Sequence, residues 1–299
     1  ASKMPAPRQS AAMTELLTTA ANNWRAVLAG LQPWWPVLAV AMALEVMRPG
    51  KKLHWPTVIG NIIYIPVGLT LGMTVLGTAL HTLQGHVPQD LLHFRQWAHT
   101  PARQIGLWLL YLACFDFLYY WLHRAQHQVP WLWRYHMVHH SDVNVCAASV
   151  GRHHWLEEGF RFFIITGPLI VLMGGAKDAP GWVLAFIVLN GILMHWNVAL
   201  RFGPLERCII TPAYHRLHHS IEERHYDRNF GVFTQLWDHV FGTRYVPRPG
   251  EYPETGIIQL PHLRAWALLA PWPLVWLDRR PSDSPPGSEP ATMEPAKKG

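Results

Sequence analysis

Two six-residue stretches, His136-Met-Val-His139-His140-Ser141 and His215-Arg-Leu-His218-His219-Ser220, share the pattern HxxHHS. Each sets imidazoles at i, i+3 and i+4, the spacing that brings side chains onto one face of a helical turn. His123 and His127, at i and i+4, do the same. Eight histidines therefore fall in three tight clusters. Neutral imidazole suits Fe, Zn, Cu and Ni. One ion takes roughly four to six donors, so this many imidazoles exceeds one ion and suits two. Carboxylate-type dinuclear bundles use glutamates and ExxH motifs. No glutamate lies three residues before any of these histidines, which leaves a two-metal site built almost wholly from imidazoles.

The elements that position these clusters have the composition of a membrane protein. Half of the 299 residues are hydrophobic and 15% are charged, against about 25% in soluble domains. The 16 tryptophans exceed what a soluble core needs and fit the bilayer interfaces. Net charge is +6. In a soluble chain that would suggest nucleic acid; here it reads as Lys and Arg flanking membrane spans, with no nucleic-acid partner. Cys114, Cys146 and Cys208 form no CxxC pair, so a disulfide framework or iron–sulfur site is not expected.

A span needs about 20 mostly apolar residues. Residues 56–83, 104–122 and 181–200 meet this, the second with only Asp116 charged. Residues 162–176 are apolar but shorter, and join 181–200 in a hairpin through 176–180. Residues 26–44 are uncharged but interrupted by Pro33 and Pro36. The expectation is four hydrophobic helices and a fifth, N-terminal one. Lys and Arg concentrate in 48–55, 123–159 and 201–264 rather than in 84–103, which places the histidine-bearing loops on the cytoplasmic face. Residues 1–25 read as a polar N-terminal segment without the features of a cleavable signal peptide. Residues 26–280 read as one membrane-embedded catalytic domain, with 263–277 as an interfacial anchor. The proline-rich tail 281–299 reads as disordered. The fold class expected is all-α: a multi-pass transmembrane helical stem under a cytoplasmic helical cap that holds the dinuclear site.

Helical periodicity puts Asp116, Tyr119 or Tyr120, His123 and His127 along one face of a helix leaving the bilayer. His195 lies near the cytoplasmic end of its own span. A histidine there can simply bond a backbone carbonyl, yet intramembrane ionisable residues are functional by default. The boxes, the helix mouth and His195 thus meet in one layer above the lipid surface.

Together these residues resemble the membrane-bound fatty acid hydroxylase/sterol desaturase superfamily over about residues 105–245. The likeness runs through Asp116-Phe-Leu-Tyr-Tyr-Trp-Leu-His-Arg-Ala-Gln-His127, the first HxxHHS box and Arg152-His-His-Trp-Leu-Glu157, where Trp155 replaces a proline. It continues in His195-Trp-Asn, Gly203-Pro-Leu-Glu206, the second box with its preceding Thr211-Pro-Ala-Tyr, Asn229-Phe-Gly231 and Trp237-Asp-His-Val-Phe-Gly-Thr243. The resemblance implies metal ligation by His123, His127, His136, His139, His140, His195, His215, His218 and His219. It further implies a non-haem di-iron centre that uses O2 and two electrons to hydroxylate, desaturate or oxidatively cleave a lipid such as a fatty acyl chain, sterol or membrane lipid. The segment between boxes is more apolar and compact than in eukaryotic sterol enzymes, which argues against carrying sterol over. Zinc can replace iron in a purified sample, because it outcompetes ferrous iron for nitrogen.

Asp116 is expected to orient a ligating imidazole through its second nitrogen, with Glu157, Asp238 and Asp142 as weaker candidates. Asn229 is balanced between a structural and a functional role. His153 and His154 read as structural, His225 and His239 as peripheral, and His54, His81, His86, His93 and His99 carry no assignment. Trp121, Trp131 and Trp133 read as interface anchors. Arg134, Arg152 or Arg216 could hold an anionic headgroup. No HPGG segment, Rossmann glycine motif or cysteine cluster is present, so electrons are expected from a separate ferredoxin or cytochrome b5-type donor with its reductase. Two other classes stay open: a metal-binding or metal-transport membrane protein, and a metal-dependent lipid hydrolase.

Overall fold

The structure, a computed structural model, describes residues 8–257 except 98, 175–179 and 201. The interfacial segment 263–277, the tail 281–299 and most of the 176–180 hairpin link lie outside the described residues. Those that are described form helices and loops with no strand. The isolated bridges Ile209–Thr234 and Ser220–Thr255 tie loops together.

The first two helices are α1 (Arg8–Leu31) and α2 (Trp35–Met47), bent by 60° at the break between them. Pro33 lies within that break and Pro36 in the first turn of α2, so 26–44 is not one straight rod but two helices meeting at an elbow. Next come α3 (Trp55–Val75) and α4 (Gly77–His86). The expected 56–83 span is thus interrupted at Leu76, which hydropathy alone does not register. Helix α5 (Pro101–Gln128) runs unbroken through the 104–122 span and out to His123 and His127, as helical periodicity predicts. Thr100 caps it by accepting from the Arg103 amide at 3.3 Å, with Pro101 in the first turn.

Helix α6 (Pro130–His140) follows after the single residue Val129. Pro130 disfavours helical geometry in the residue before it, so α5 must stop and the chain turns back on itself. That elbow sets His136 and His140 against His123 and His127. Then α7 (Glu157–Arg161), one π-turn at Phe162–Thr166 and α8 (Gly167–Met173) make a continuous helical run. Gly174 closes it at φ 79°, in the left-handed conformation that favours glycine. Helix α9 (Gly181–Met194) ends directly before His195. The short helices α10 (Pro212–His218) and α11 (Leu236–Val240) complete the cap.

Among the described residues, only α3 and α5 are long and apolar enough to cross a bilayer alone, and the bent α1–α2 pair makes a third crossing if counted as one span. The expectation from sequence is four hydrophobic helices and a fifth. At 14 residues, α9 reaches about 21 Å, short of the roughly 30 Å hydrocarbon core. Large apolar side chains nevertheless stand exposed on α3 (Ile59, Ile63), α5 (Leu109, Leu110), the π-turn (Phe163, Ile164) and α9 (Leu184, Leu189). Exposed apolar surface on this scale marks contact with lipid or protein, and the protein is a membrane protein. Inside, Trp108, Phe115 and Tyr119 of α5 pack on two core clusters at once. One joins α5 to α9 and the 210–233 loops; the other joins α5 to α8.

Candidate metal centre

Four elements converge on one buried layer. Helix α5 brings His123 and His127, the last turn of α6 brings His136, His139 and His140, and the end of α10 brings His215, His218 and His219. His195 arrives from the C-cap of α9. Helix C-termini carry the negative end of the backbone dipole, so both HxxHHS boxes sit where a cation is favoured.

The nine imidazoles sort into two groups. His123, His127, His136, His140 and His218 form one, and His139, His195, His215 and His219 the other; within each, donor atoms lie within 4.8 Å of one another. Ring nitrogens meet at 3.1 Å for His127–His140, His215–His195 and His219–His215, and at 3.3 Å for His195–His139. Donors about 2.05 Å from a shared ion stand roughly 3.0–3.4 Å apart, which matches.

The opposite edges of the rings are anchored. Nδ1–H of His123 donates to the Phe230 carbonyl at 2.9 Å, that of His195 to Gly191 at 2.7 Å and that of His218 to Arg228 at 2.8 Å. His139 reaches the Arg152 carbonyl at 3.3 Å. A carbonyl only accepts, so each Nδ1 carries the proton and each Nε2 keeps its lone pair. The Nε2 atoms of His123, His136 and His218 are buried with no hydrogen-bond partner, as are Nδ1 of His215 and His219. Orphaned buried acceptors are costly, and a bound cation satisfies the three Nε2 atoms, all in the five-imidazole group; Nε2 of His215 and His219 faces the other group, with Nδ1 turned away from it.

Burial, followed by the charge of neighbouring imidazoles, holds His139, His140, His215 and His219 well below the usual histidine range. It also lowers His195 to about 4 and His218 to about 3. These rings are neutral at physiological pH, the form that binds metal. The clusters fit two ions with an all-nitrogen donor set.

One carboxylate touches a ring of the five-imidazole group by hydrogen bond. Glu157 Oε2 accepts from His136 Nδ1 at 3.2 Å and from Gln126 Nε2 at 2.7 Å, and His153 stands 3.5 Å away. Burial opposes ionisation of Glu157, but the hydrogen bonds from His136 and His153 prevail and hold its carboxyl well below the usual range. Asp116 does otherwise than its spacing suggested. It accepts from the amides of Val232 and Phe233 and from Thr234 Oγ1. Seven residues separate it from His123, about 10 Å along the helix, too far to reach that ring. Asp238 accepts from the amides of Phe230 and Gly231, from Thr243 Oγ1 and from the Tyr214 hydroxyl. Asn229, at φ 64°, bonds the Tyr214 and Tyr245 carbonyls and the Tyr245 amide. These three fix the 229–234 loop, whose Phe230 carbonyl holds His123. Asp142 binds Asn61 and Ser149, not an imidazole.

Residues 108–243 match the model of the fatty acid hydroxylase family. The chain is similar to that family over this region. It is 33% identical over 191 residues to the ornithine lipid hydroxylase OlsE of Rhizobium tropici, covering 64% of this chain and 55% of that protein. It is 33% identical over 128 residues to the alkylglycerol monooxygenase of Homo sapiens, covering 43% and 28%. To the very-long-chain aldehyde decarbonylase GL1-6 of Oryza sativa subsp. indica it is 29% identical over 168 residues, covering 49% and 26%. The chain spans about half the length of the first and less than a third of the other two. No solved structure matches it.

Other expectations change with the geometry. His225 stands outside both imidazole groups but is buried: its Nδ1 meets Ser220 Oγ at 2.8 Å and its Nε2 meets Glu251 at 3.2 Å. His153 stacks on His139 at 4.1 Å, and exposed His239 stays at the rim. Arg152 and Arg216 cannot serve a headgroup, since both are buried. Arg152 binds the Val138 carbonyl, Ser141 Oγ and Asn61, and Arg216 binds the Pro253 carbonyl over the Tyr252 ring. The serine ending each HxxHHS box was the available sequence signal: Ser141 is held by Arg152 and Ser220 by His225.

Proposed function

We propose that this chain is an integral-membrane, non-haem di-iron oxygenase that hydroxylates or desaturates a lipid, using O2 and electrons from a separate donor. The observation that carries the reading is the pair of buried imidazole groups with orphaned nitrogens, set at the ends of lipid-facing helices. His123, His127, His136, His140 and His218 would hold one iron, and His139, His195, His215 and His219 the other. Bound iron supplies the activation of O2 that a C–H bond requires.

The protein's own part is positioning and exclusion. Backbone carbonyls of Phe230, Arg152, Gly191 and Arg228 hold the rings in the tautomer that presents Nε2. Glu157 adds a fixed negative charge behind His136. Phe230 and Trp133 pack 5.2 and 5.0 Å from the His127 ring and keep water off the donors. Tyr119, one turn before His123 and 5.6 Å from it, leads from the apolar packing around α5 to the site. The substrate comes sideways from the bilayer, and its chain is oriented by this apolar surface. The ornithine lipid hydroxylase relative favours a polar membrane lipid over a sterol. The Lys and Arg bias supports a site on the cytoplasmic face. Because the donors lie at helix ends rather than midway along spans, transport is the less favoured use.

The test compares lipid extracts of cells with and without the protein by mass spectrometry. A lipid gaining one oxygen marks hydroxylation, and one losing two hydrogens marks desaturation. Product formation that continues without O2 would replace this reading with a hydrolase.

A further inference from the structure

Helix α3 carries a buried stripe of Asn61, Tyr64, Ile65, Gly68 and Gly72 on one face. In an uncharged span, buried polar side chains are costly without a task. Here they grip the segment that follows the first HxxHHS box. Asn61 Oδ1 accepts from Arg152 Nη1 at 2.9 Å, and Asn61 Nδ2 donates to Asp142 at 2.7 Å. One turn further, the Tyr64 hydroxyl donates to the His153 carbonyl at 2.7 Å. Gly151 makes the approach close: a Cβ there would stand 2.5 Å from Ile65 Cγ1.

The gripped residues bear directly on one imidazole. The Arg152 carbonyl accepts from His139 Nδ1 at 3.3 Å, and the His153 ring stacks on the His139 ring with 13° between planes. The Arg152 guanidinium also binds the Val138 carbonyl and Ser141 Oγ at the end of α6. His139 belongs to the four-imidazole group. The five-imidazole group is anchored mainly through Glu157, Phe230 and Arg228, and the gripped segment reaches it only indirectly, through His153 at 3.5 Å from Glu157.

We propose that Asn61 and Tyr64 are positioning residues for the four-imidazole group, fixing His139 through Arg152 and His153. The membrane helix α3 thereby bears more directly on one ion's site than on the other's. This rests on the reading that both groups bind metal.

The test is titration of the metal-free, detergent-solubilised full chain with cobalt(II), followed by visible absorption, in the wild type and in Tyr64→Phe, Asn61→Ala and Gly151→Ala. Gly151→Ala displaces the segment without removing a polar group. Four-coordinate cobalt absorbs strongly and five-coordinate cobalt weakly, so the two groups are read separately. The expected result is two equivalents in the wild type, with the strongly absorbing equivalent bound about 10-fold more weakly in each variant. The other equivalent and the melting temperature stay close to wild type. Unchanged binding of both equivalents, or equal weakening of both with a lower melting temperature, overturns the proposal. Fewer than two equivalents in the wild type defeats the two-metal reading instead.

Discussion

Glu157 Oε2 stands 3.2 Å from His136 Nδ1, and both side chains are 1% exposed. A carboxylate behind a ligating imidazole fixes its tautomer and raises its basicity. Replacing it with glutamine keeps the shape and removes the charge. Glu157→Gln is expected to weaken metal binding by about 10- to 100-fold without unfolding the protein, measured by competition with a chromogenic chelator. Wild-type affinity would mean that Glu157 serves packing alone.

His139 and His218 lie in different groups, so alanine at either removes a donor from a different ion. The wild type is expected to hold about two ions per chain, and each variant about one, with O2-dependent activity lost. Elemental analysis of the purified proteins counts the metal. Full activity in either variant would sink the site assignment. Zinc in the preparation would not count against iron chemistry, since zinc outcompetes ferrous iron for nitrogen.

The long helix through Asp116 to His127 was legible because its apolar run and its histidine spacing share one period. The boxes were legible for the same reason: i, i+3 and i+4 fix a face whatever surrounds them. The grouping was not. His139 separates from its neighbour His140 because His195, two loops away, meets it in space, and no local pattern encodes that. Asp116 misled because periodicity gives a face but not a reach along the axis. Helix breaks at Leu76 and after Met194 hid inside apolar stretches, since hydropathy weighs composition and not continuity. Asn61 and Tyr64 were passed over for lacking charge, although polar groups in a span were the available signal.

Asp238 accepts hydrogen bonds from Phe230, Gly231, Thr243 and Tyr214 while fully buried. Asp238→Ala strands two amides and two hydroxyls at once. The expected loss is roughly 2–4 kcal/mol of stability, seen as a lower melting temperature in detergent. His123 loses its anchor with the loop, so metal content should fall in parallel. A variant that melts as the wild type does would show the loop to be held by other contacts.

Acid should unfold the metal-free protein through its buried rings. Burial holds His195 at about 4 and His218 at about 3, against about 6.5 in an unfolded chain. Above pH 6.5 neither state takes up protons at these positions, and their contribution to stability is complete. As pH falls below 6.5 the unfolded chain binds protons that the folded chain refuses. Stability then drops by up to about 1.4 kcal/mol per pH unit for each ring, until the folded value is reached. The melting temperature of metal-free protein should therefore fall steeply between pH 6.5 and pH 4. Loading with metal should move that fall to lower pH, because the ion and the proton compete for the same lone pairs. A metal-free melting temperature that stays level from pH 7 to pH 5 would contradict the burial of these imidazoles.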